Sequence, residues 1–401
     1  MKKILIIAIA LLACFTASAY DYMIDGIAYN LNSDGKSLSV TFTTANMREA
    51  NYPGLTSPII PDSVTIDGNA MPVTAIGFHA FERTHFEAVT FPKTPVEIGE
   101  YAFYWSCLTS ITLPEGLAKL GTGAFSSCYY LKSVHLPSSL SEFGTGAFLN
   151  CPGLASVTYS DGLSTIPSAT FCLCTGLTSL EFKYPISVAS SAFAECTGIK
   201  KVRVAADCEF DPNWITGVQI DTLELCDGIS LVSGVAAHQA RLTSIDIPNS
   251  VKTIGPNTFE GCTGLASFAI PSSVNALGDS FLSNTSLQSI LSKRRLPIAF
   301  AEDATTFKGV DQENVTLYVP HGCKAAYESA AGWKDFGSIV EMELGDINWD
   351  GRVDVADLNM MVNHVLGTKP LVDLPDGDFD GDGKVDIADI NAAINSILGV
   401  Q

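Results

Sequence analysis

Residues 124–137 read Ala124-Phe125-Ser126-Ser127-Cys128-Tyr129-Tyr130-Leu131-Lys132-Ser133-Val134-His135-Leu136-Pro137. Much the same text returns at Ala147-Phe148 … Cys151 … Leu154 … Val157, and at Thr258-Phe259 … Cys262 … Leu265 … Phe268 … Ile270-Pro271. Its leading aromatic recurs at Phe81, Phe103, Phe125, Phe148, Phe171 and Phe193 with gaps of 22 or 23 residues, then at Phe259 and Phe281. Two units in between, around Ile215 and Ala237, keep the period without the aromatic. A fixed period of this length means stacked supersecondary units, each unable to bury its apolar face alone, so the spacing predicts a solenoid of about ten coils.

One unit is readable in physical terms. Leu-x-Ser-Ile/Val-x-Leu-Pro alternates apolar and polar positions, the pattern of a short strand with one face inward. Pro114, Pro137, Pro248 and Pro271 end it by removing a backbone donor. A second apolar pair followed by Gly (Leu120-Gly121, Phe143-Gly144, Ile254-Gly255, Leu277-Gly278) is expected to turn the chain, after which the Phe plugs the interior. Cys128, Cys151, Cys174, Cys196 and Cys262 each follow a ladder Phe by three residues, and Cys107 by four. That places them in an interior row as small buried hydrophobes, with one or two disulfides as the alternative for an exported chain. Outward strand positions include a chemically mixed column, His135, Glu181, Arg203, Glu224 and Asp246, which is the candidate ligand face; a solvated face that binds nothing is the competing reading.

This repeated Ala-Phe-x-x-Cys-x-x-Leu-x-Ser-Ile/Val text resembles the BspA-like leucine-rich repeats of host-associated bacteria, over about residues 60–300. The resemblance implies a β-rich array of parallel strands joined by short helical or 3-10 turns. It extends to both flanks: a capping hairpin in residues 20–60 through Asn32-Ser33-Asp34-Gly35, and a strand plus helix over Leu317–Pro320 and Ala325–Trp333 that closes residues 301–343. The repeats themselves are assigned to residues 61–300.

Both ends of the sequence differ from the array. Lys2 and Lys3, the apolar run Ile4–Ala13 and Ala17-Ser18-Ala19 read as a signal peptide over residues 1–19, cleaved after Ala19. The rival is a lipobox, Leu11-Leu12-Ala13-Cys14, with Cys14 acylated. No later stretch has the ~20 apolar residues of a membrane-spanning helix. The chain carries 43 acidic against 23 basic residues, net −20. That balance argues against nucleic acid as a partner. Residues 345–401 hold eleven Asp, no Glu and three basic residues, so the tail is a separate acidic module.

The tail's acid is ordered. Asp346, Asn348, Asp350, Arg352, Asp354 and Asp357 occupy positions 1, 3, 5, 7, 9 and 12 of a twelve-residue loop, with Gly351 at 6. Asp378, Asp380, Asp382, Lys384, Asp386 and Asp389 repeat it 32 residues later around Gly383. Oxygen donors at that spacing, with backbone carbonyls at position 7, suit a hard cation taking six to eight oxygens, so two Ca²⁺ ions are expected. A single helix follows each loop, with apolar faces expected at Leu358, Met361, Val365, Leu366 and at Ile390, Ala393, Ile397, Leu398. The duplicated loop plus helix resembles a type I dockerin, which implies docking to a cohesin-like module or another surface protein. Positions 10 and 11, where many dockerins present hydroxyl residues to cohesin, are here the apolar Val355-Ala356 and Ile387-Ala388, a departure that suits either a different cohesin or packing of the module onto another part of the chain.

The fold class expected is thus a repeat solenoid plus a small all-α calcium-loop domain. No His-Glu-x-x-His, Gly-x-Ser-x-Gly or phosphate-cradling loop occurs, and no segment remains for a catalytic domain. The expectation is an exported, non-enzymatic binding or adhesion protein, with the solenoid facing a host protein or glycan and the tail docking it. The alternatives are a component of polysaccharide breakdown and a structural surface protein whose tail only stabilises the solenoid.

Overall fold

Each coil is held to the next by two hydrogen-bonding patterns, and both follow from the repeat text. The computed structural model describes residues 19–44, 51–93, 97–301, 303–371 and 376–399. The leader up to Ser18, with Cys14, lies outside the described residues. The fold is a β-solenoid of about 12 turns at ~22-residue spacing, with a small helical C-terminal region. It divides into two compact units, Met1–Leu163 with Pro167–Leu177, and Ser164–Ile166 with Thr178–Gln401.

In the first unit, strands Tyr22–Ile24, Ile27–Leu31 and Leu38–Val40 pair antiparallel. The last two join through a turn closed by Gly35 N–H donating to Asn32 O at 2.9 Å. Ser63–Ile66 pairs antiparallel with Asn69–Ile76. From Leu38–Val40 onward the main path becomes parallel, through Asn69–Ile76, Glu97–Ile98, Lys119–Leu120 and Glu142–Phe143. The apolar pairs that the sequence marked as turns are therefore the strands of a sheet of their own. The Gly behind them is required by that stacking: a Cβ on Gly121 would lie 2.4 Å from Glu100 N. The alternating segments Ser133–Leu136 and Ser156–Tyr159 form a second parallel pair, Val134 opposite Val157.

Between the sheets runs the ladder. Phe81, Phe103, Phe125, Phe148 and Phe171 are fully buried. Successive ring centroids lie 5.2, 4.9, 5.3 and 5.4 Å apart, with interplanar angles of 25°, 5°, 3° and 11°. The backbone on either side of each Phe is left-handed, for example Tyr101 (φ 53°) and Trp105 (φ 56°) around Phe103. This conformation turns three alternate amides toward the next coil. Tyr101, Phe103 and Trp105 N–H donate to Thr122, Ala124 and Ser126 carbonyls at 3.0, 2.7 and 2.9 Å. Left-handed backbone costs a non-glycine residue roughly 1–2 kcal/mol, which these inter-coil bonds offset.

In the second unit a six-stranded parallel sheet takes Thr165–Ile166, Ser187–Val188, Cys208–Phe210, Leu231–Ser233, Thr253–Ile254 and Ala276–Leu277 in order. Ser179–Phe182, Lys201–Val204 and Thr222–Leu225 make a second sheet, and Ser267–Ile270, Ser289–Ser292, Thr316–Val319 and Ser338–Glu341 a third. Residues 244–247, which alternate like the others, form no strand. Here the ladder residues are Phe193, Ile215, Ala236, Phe259 and Leu282. Ala236 N–H donates to Thr258 O, as Phe103 does to Ala124, so Ala236 and not Ala237 holds the register. Phe259 N–H donates to Phe281 O, which puts Phe281 in the Ala position and Leu282 in the ladder. Buried Trp214 lies beside the small residues, 5.7 Å from Phe193 and 4.9 Å from Phe210, its indole N–H on Val235 O at 3.2 Å.

After strand Thr316–Val319, helix α1 (Lys324–Ser329) buries Tyr327, whose hydroxyl meets Ser292 Oγ and Arg294 O, each at 2.7 Å. Trp333 donates to Ile298 O at 2.8 Å. The parallel strand Ser338–Glu341 then follows, so strand and helix do not end the array. The tail helices are α2 (Val355–Val365) and α3 (Ile387–Leu398), over a small core of Ile347, Met361, Val385 and Ala393. Leu358 and Ile390 pack against that core, but Leu366 (69 %) and Leu398 (68 %) face solvent, outside the expected apolar stripe. Met360 and Phe379 complete the packing.

Candidate metal loops and ligand face

Each acidic loop is closed by its last Asp. Asp357, fully buried, accepts through Oδ1 from Ile347 N (2.8 Å) and Asn348 N (2.9 Å), and through Oδ2 from Asp354 N (2.9 Å). Asp389 repeats this with Phe379 N (2.7 Å), Asp380 N (3.3 Å) and Asp386 N (2.9 Å). The short Asp at position 12 is thus matched to a loop that folds back onto its carboxylate. Asp354 and Asp386, at position 9, are helix N-caps: each accepts from the amide two residues on at 2.7 Å, and each completes a capping box with Asp357 or Asp389. Their carboxylates therefore start the helices, a role the loop pattern alone did not distinguish from ligation.

Positions 1, 3 and 5 draw inward. Asp346 accepts from Asp350 N (3.1 Å) and Gly351 N (2.8 Å), and Asn348 Oδ1 from Asp350 N (2.8 Å). Asp378 accepts from Asp382 N (3.1 Å) and Gly383 N (2.9 Å). One carboxylate oxygen from each of Asp378, Asp380 and Asp382 falls within 4.8 Å of the others. Among the described residues, no Lys or Arg stands within ion-pair distance of these carboxylates; the tail's pair is Arg295 with Asp376, at 3.5 Å. Burial pushes the Asp346 carboxyl above its ordinary value, and the Asp357 charge pushes the same way. A set of hard oxygens converging without a protein cation fits a divalent ion. Arg352 and Lys384 at position 7 are exposed, with their backbone in the loop.

Val355, Ala356, Ile387 and Ala388 are all exposed on the first turns of α2 and α3, Val355 at 61 % and Ile387 at 66 %. Their exposure leaves two equivalent apolar patches beside the two loops.

The mixed strand column is satisfied internally. In the first unit His135 bonds Thr158 Oγ1 and Ser160 Oγ, both at 2.9 Å. In the second, Arg203 bridges Glu181 Oε1 (2.7 Å) and Glu224 Oε1 (2.8 Å), with Lys201 on Glu224 (2.8 Å) and Lys183 on Glu181 (3.2 Å). In Glu181 partial burial is outweighed by the hydrogen bonds from Arg203 and Lys183, and Lys201 and Arg203 act likewise on Glu224, so both carboxyls lie below their ordinary value. Asp246 does not join the column, because its segment forms no strand.

The cysteine row is interior except at Cys107, which is half-buried while Ser106, one residue earlier, takes the interior place beside Cys128; the row has a function the spacing did not reveal. Cys128, Cys151 and Cys174 donate their thiols to the carbonyls of Phe103, Phe125 and Phe148, each at 3.2 Å, and Cys262 to Ala236 O at 3.0 Å. Each is a free thiol that ties one coil to the preceding ladder residue.

These elements define a class: a leucine-rich-repeat solenoid carrying a duplicated acidic loop–helix module. The chain belongs to the BspA type leucine rich repeat family, whose model matches residues 55–107, 96–214 and 216–298. The dockerin type I domain model matches residues 344–398. Among solved structures it is similar to the pneumococcal vaccine antigen PcpA, with 19% identity over 82% of this chain and 100% of that one, at a TM-score of 0.42. It is also similar to a leucine-rich repeat protein from Bacteroides ovatus, with 20% identity over 81% and 100% of the two chains, TM-score 0.33. A leucine rich cell surface protein from Faecalibacterium prausnitzii shares 20% identity over 68% and 94%, TM-score 0.25. No curated protein matches. Likenesses this distant add nothing to the family assignment. No helix among the described residues is long and apolar enough to cross a membrane.

Proposed function

We propose that this is an exported, non-enzymatic binding protein whose tail holds two Ca²⁺ ions and docks through Val355-Ala356 and Ile387-Ala388 to a cohesin-type or other surface partner. The observation that carries the reading is the convergence of the Asp378, Asp380 and Asp382 oxygens in a loop closed by Asp389, with the same donors spaced through the first loop. Bound Ca²⁺ would supply the charge that lets these carboxylates approach one another. Asp346, Asn348, Asp350, the Arg352 carbonyl and Asp357 would hold one ion, and Asp378, Asp380, Asp382, the Lys384 carbonyl and Asp389 the other. Asp354 and Asp386 hold the helix starts in place, so that the exposed patches keep a fixed relation to the loops. The leader text supports export, and the absence of a catalytic motif supports a binding role. Adhesion would use the solenoid, with a protein or glycan as ligand and His135, Glu181, Arg203 and Glu224 as the first residues to examine. The test is a pull-down from a bacterial surface fraction with and without calcium. Asp346→Ala with Asp378→Ala should abolish capture, calorimetry should count two ions, and capture that ignores EDTA would overturn the reading. Turnover on a glycan panel would overturn its non-enzymatic part.

A second reading, that the tail stabilises the solenoid, is favoured by contacts between them in the second unit. Arg295 pairs with buried Asp376, Lys293 lies 5.6 Å from the Trp349 ring centroid, and Asn249 and Lys293 line a groove with Trp349 and Met360. Removing residues 345–401 then lowers the melting temperature of the remaining solenoid; an unchanged value excludes this reading.

A further inference from the structure

The first unit carries an aromatic cleft that no step above uses. In later coils the two residues after the interior Cys are Pro152-Gly153, Thr175-Gly176, Thr197-Gly198 and Thr263-Gly264. The Gly is forced there, since a Cβ on Gly153, Gly176 or Gly264 would sit 2.4 Å from a carbonyl of the coil before. In the coil of Cys128 these places hold Tyr129 and Tyr130. The coil before it closes the same turn one residue sooner, with Ser106-Cys107-Leu108 in place of the four residues Cys128–Leu131. That shortening frees room for the tyrosines and opens a cleft of about 350 Å³, lined by Arg83, His85, Trp105, Cys107, Tyr129 and Tyr130.

Its walls are unusual for the positions they occupy. Trp105 and Arg83 sit at the left-handed position two residues after the ladder Phe, at φ 56° and 55°, which other coils fill with Gly, Ser127, Asn150, Asn284, Leu173, Glu195 or His238. Trp105 is 45 % exposed, Tyr129 38 % and Tyr130 56 %, so three large rings stay in water at one spot. The left-handed backbone belongs to the stacking of every coil; what sets this spot apart is that three large rings are left partly in water together. Arg83 lies over the Trp105 ring, its guanidinium carbon 4.5 Å from the centroid; its buried Nε makes no hydrogen bond and stands 3.8 Å from Glu82 Oε1, which leaves the outer guanidinium N–H groups for a ligand. The Tyr129 hydroxyl takes a hydrogen bond from Asn150 at 3.4 Å. In a chain of net charge −20, the lining holds an Arg and a His and no carboxylate.

We propose that this cleft is a binding subsite for a carboxylate-bearing sugar: a pyranose ring lies against Trp105 and Tyr130, and its acid group faces Arg83. The rings match the apolar C–H faces of a pyranose, and the fixed planar guanidinium matches a carboxylate. The volume lies in the range of small-ligand sites. The inference rests on the reading of the solenoid as a ligand-binding scaffold, and it moves the contact from the strand column to the coil edge.

The test is tryptophan fluorescence and calorimetry on the full chain with calcium, using hexagalacturonate and sialyllactose as acidic probes and maltohexaose as the neutral one. One or both acidic probes should bind and the neutral probe at least tenfold more weakly. Trp105→Gly, which relieves the left-handed strain and so keeps the fold, should weaken binding tenfold or more. Arg83→Gln should erase the preference for the acidic probe. Absence of binding by either acidic sugar up to about 10 mM, equal binding of the neutral sugar, or affinities unmoved by both variants would overturn the proposal. Glu181, Arg203 and Glu224 replaced together by Ala serve as the contrast: if that variant loses binding and Trp105→Gly does not, the scaffold reading stands and the cleft falls. If no variant binds but calcium-dependent docking of the tail persists, only the sugar is lost.

Discussion

Replacing Asp357 by Ala removes loop closure together with one proposed calcium ligand, whereas Asp350→Ala removes a ligand alone. In the native loop one buried carboxylate accepts three backbone amides, from Ile347, Asn348 and Asp354, at 2.8, 2.9 and 2.9 Å. Alanine leaves all three without a partner, at a cost of ~1.5 kcal/mol each at the low end for charged acceptors, so about 4–5 kcal/mol together. A module of 57 residues (345–401) has a total stability of only about 3–9 kcal/mol at the usual per-residue margin. With the first ion lost along with its ligand, the second Ca²⁺ at 100 times its dissociation constant returns about 2.7 kcal/mol, less than the loss. Asp357→Ala should therefore lose tail structure even in saturating calcium. Asp350→Ala, which removes an exposed position-5 oxygen, should only shift the calcium midpoint upward. Far-UV circular dichroism of the whole chain reads this directly, because α2 (11 residues) and α3 (12) outweigh α1 (6) as sources of the helical signal. A full calcium-induced helical signal in Asp357→Ala, with a wild-type midpoint, would refute the argument that this carboxylate closes the loop.

Phe125→Ala empties a place between rings at 4.9 and 5.3 Å and should cost about 3–5 kcal/mol, with hydrogen exchange accelerated in the flanking coils before distant ones. Uniform protection across the array would contradict local coupling. The interior thiols should resist alkylation at mildly alkaline pH, since burial pushes Cys262 up to about 12 and Cys128 further, and only the thiolate reacts; mass spectrometry should find both modified only after denaturation. Glu181 and Glu224 titrate below their ordinary value in the folded chain, so their contribution is present above the unfolded carboxylate range and lost as pH falls through the folded values. Arg203→Ala should move both NMR titration midpoints up, and because the groups are exposed the melting temperature should change little.

The parts of this chain that were legible in sequence are those where one residue type answers one physical demand in every coil. A buried ring at each ladder step and a small polarisable group three residues on recur as Phe and Cys, and the loop oxygens recur as Asp. Where two residue types meet the same demand, letters misled. Ala236 and Leu282 hold ladder places because inter-coil hydrogen bonds set the register, and a nearby Phe281 drew the reading one residue away. Leu120 and Phe143 read as turn text because a two-residue strand shows no alternation, and only the parallel neighbours make it a strand. Asp354 and Asp386 look like ligands in the loop pattern, yet a capping box needs the same carboxylate at the same offset, and only the hydrogen bonds distinguish the two roles. The same logic bears on where function sits. A repeat suppresses variation at positions that stacking constrains, so a departure that stacking does not require carries information. The strand column varies chemically, but its charges are used on one another, as Arg203 is between Glu181 and Glu224. Tyr129 and Tyr130 depart from the repeat where later coils hold Gly and a small residue, and with Trp105 they leave three large rings partly exposed together. That contrast makes the coil edge, more than the strand face, the place to look for the ligand that the solenoid presents.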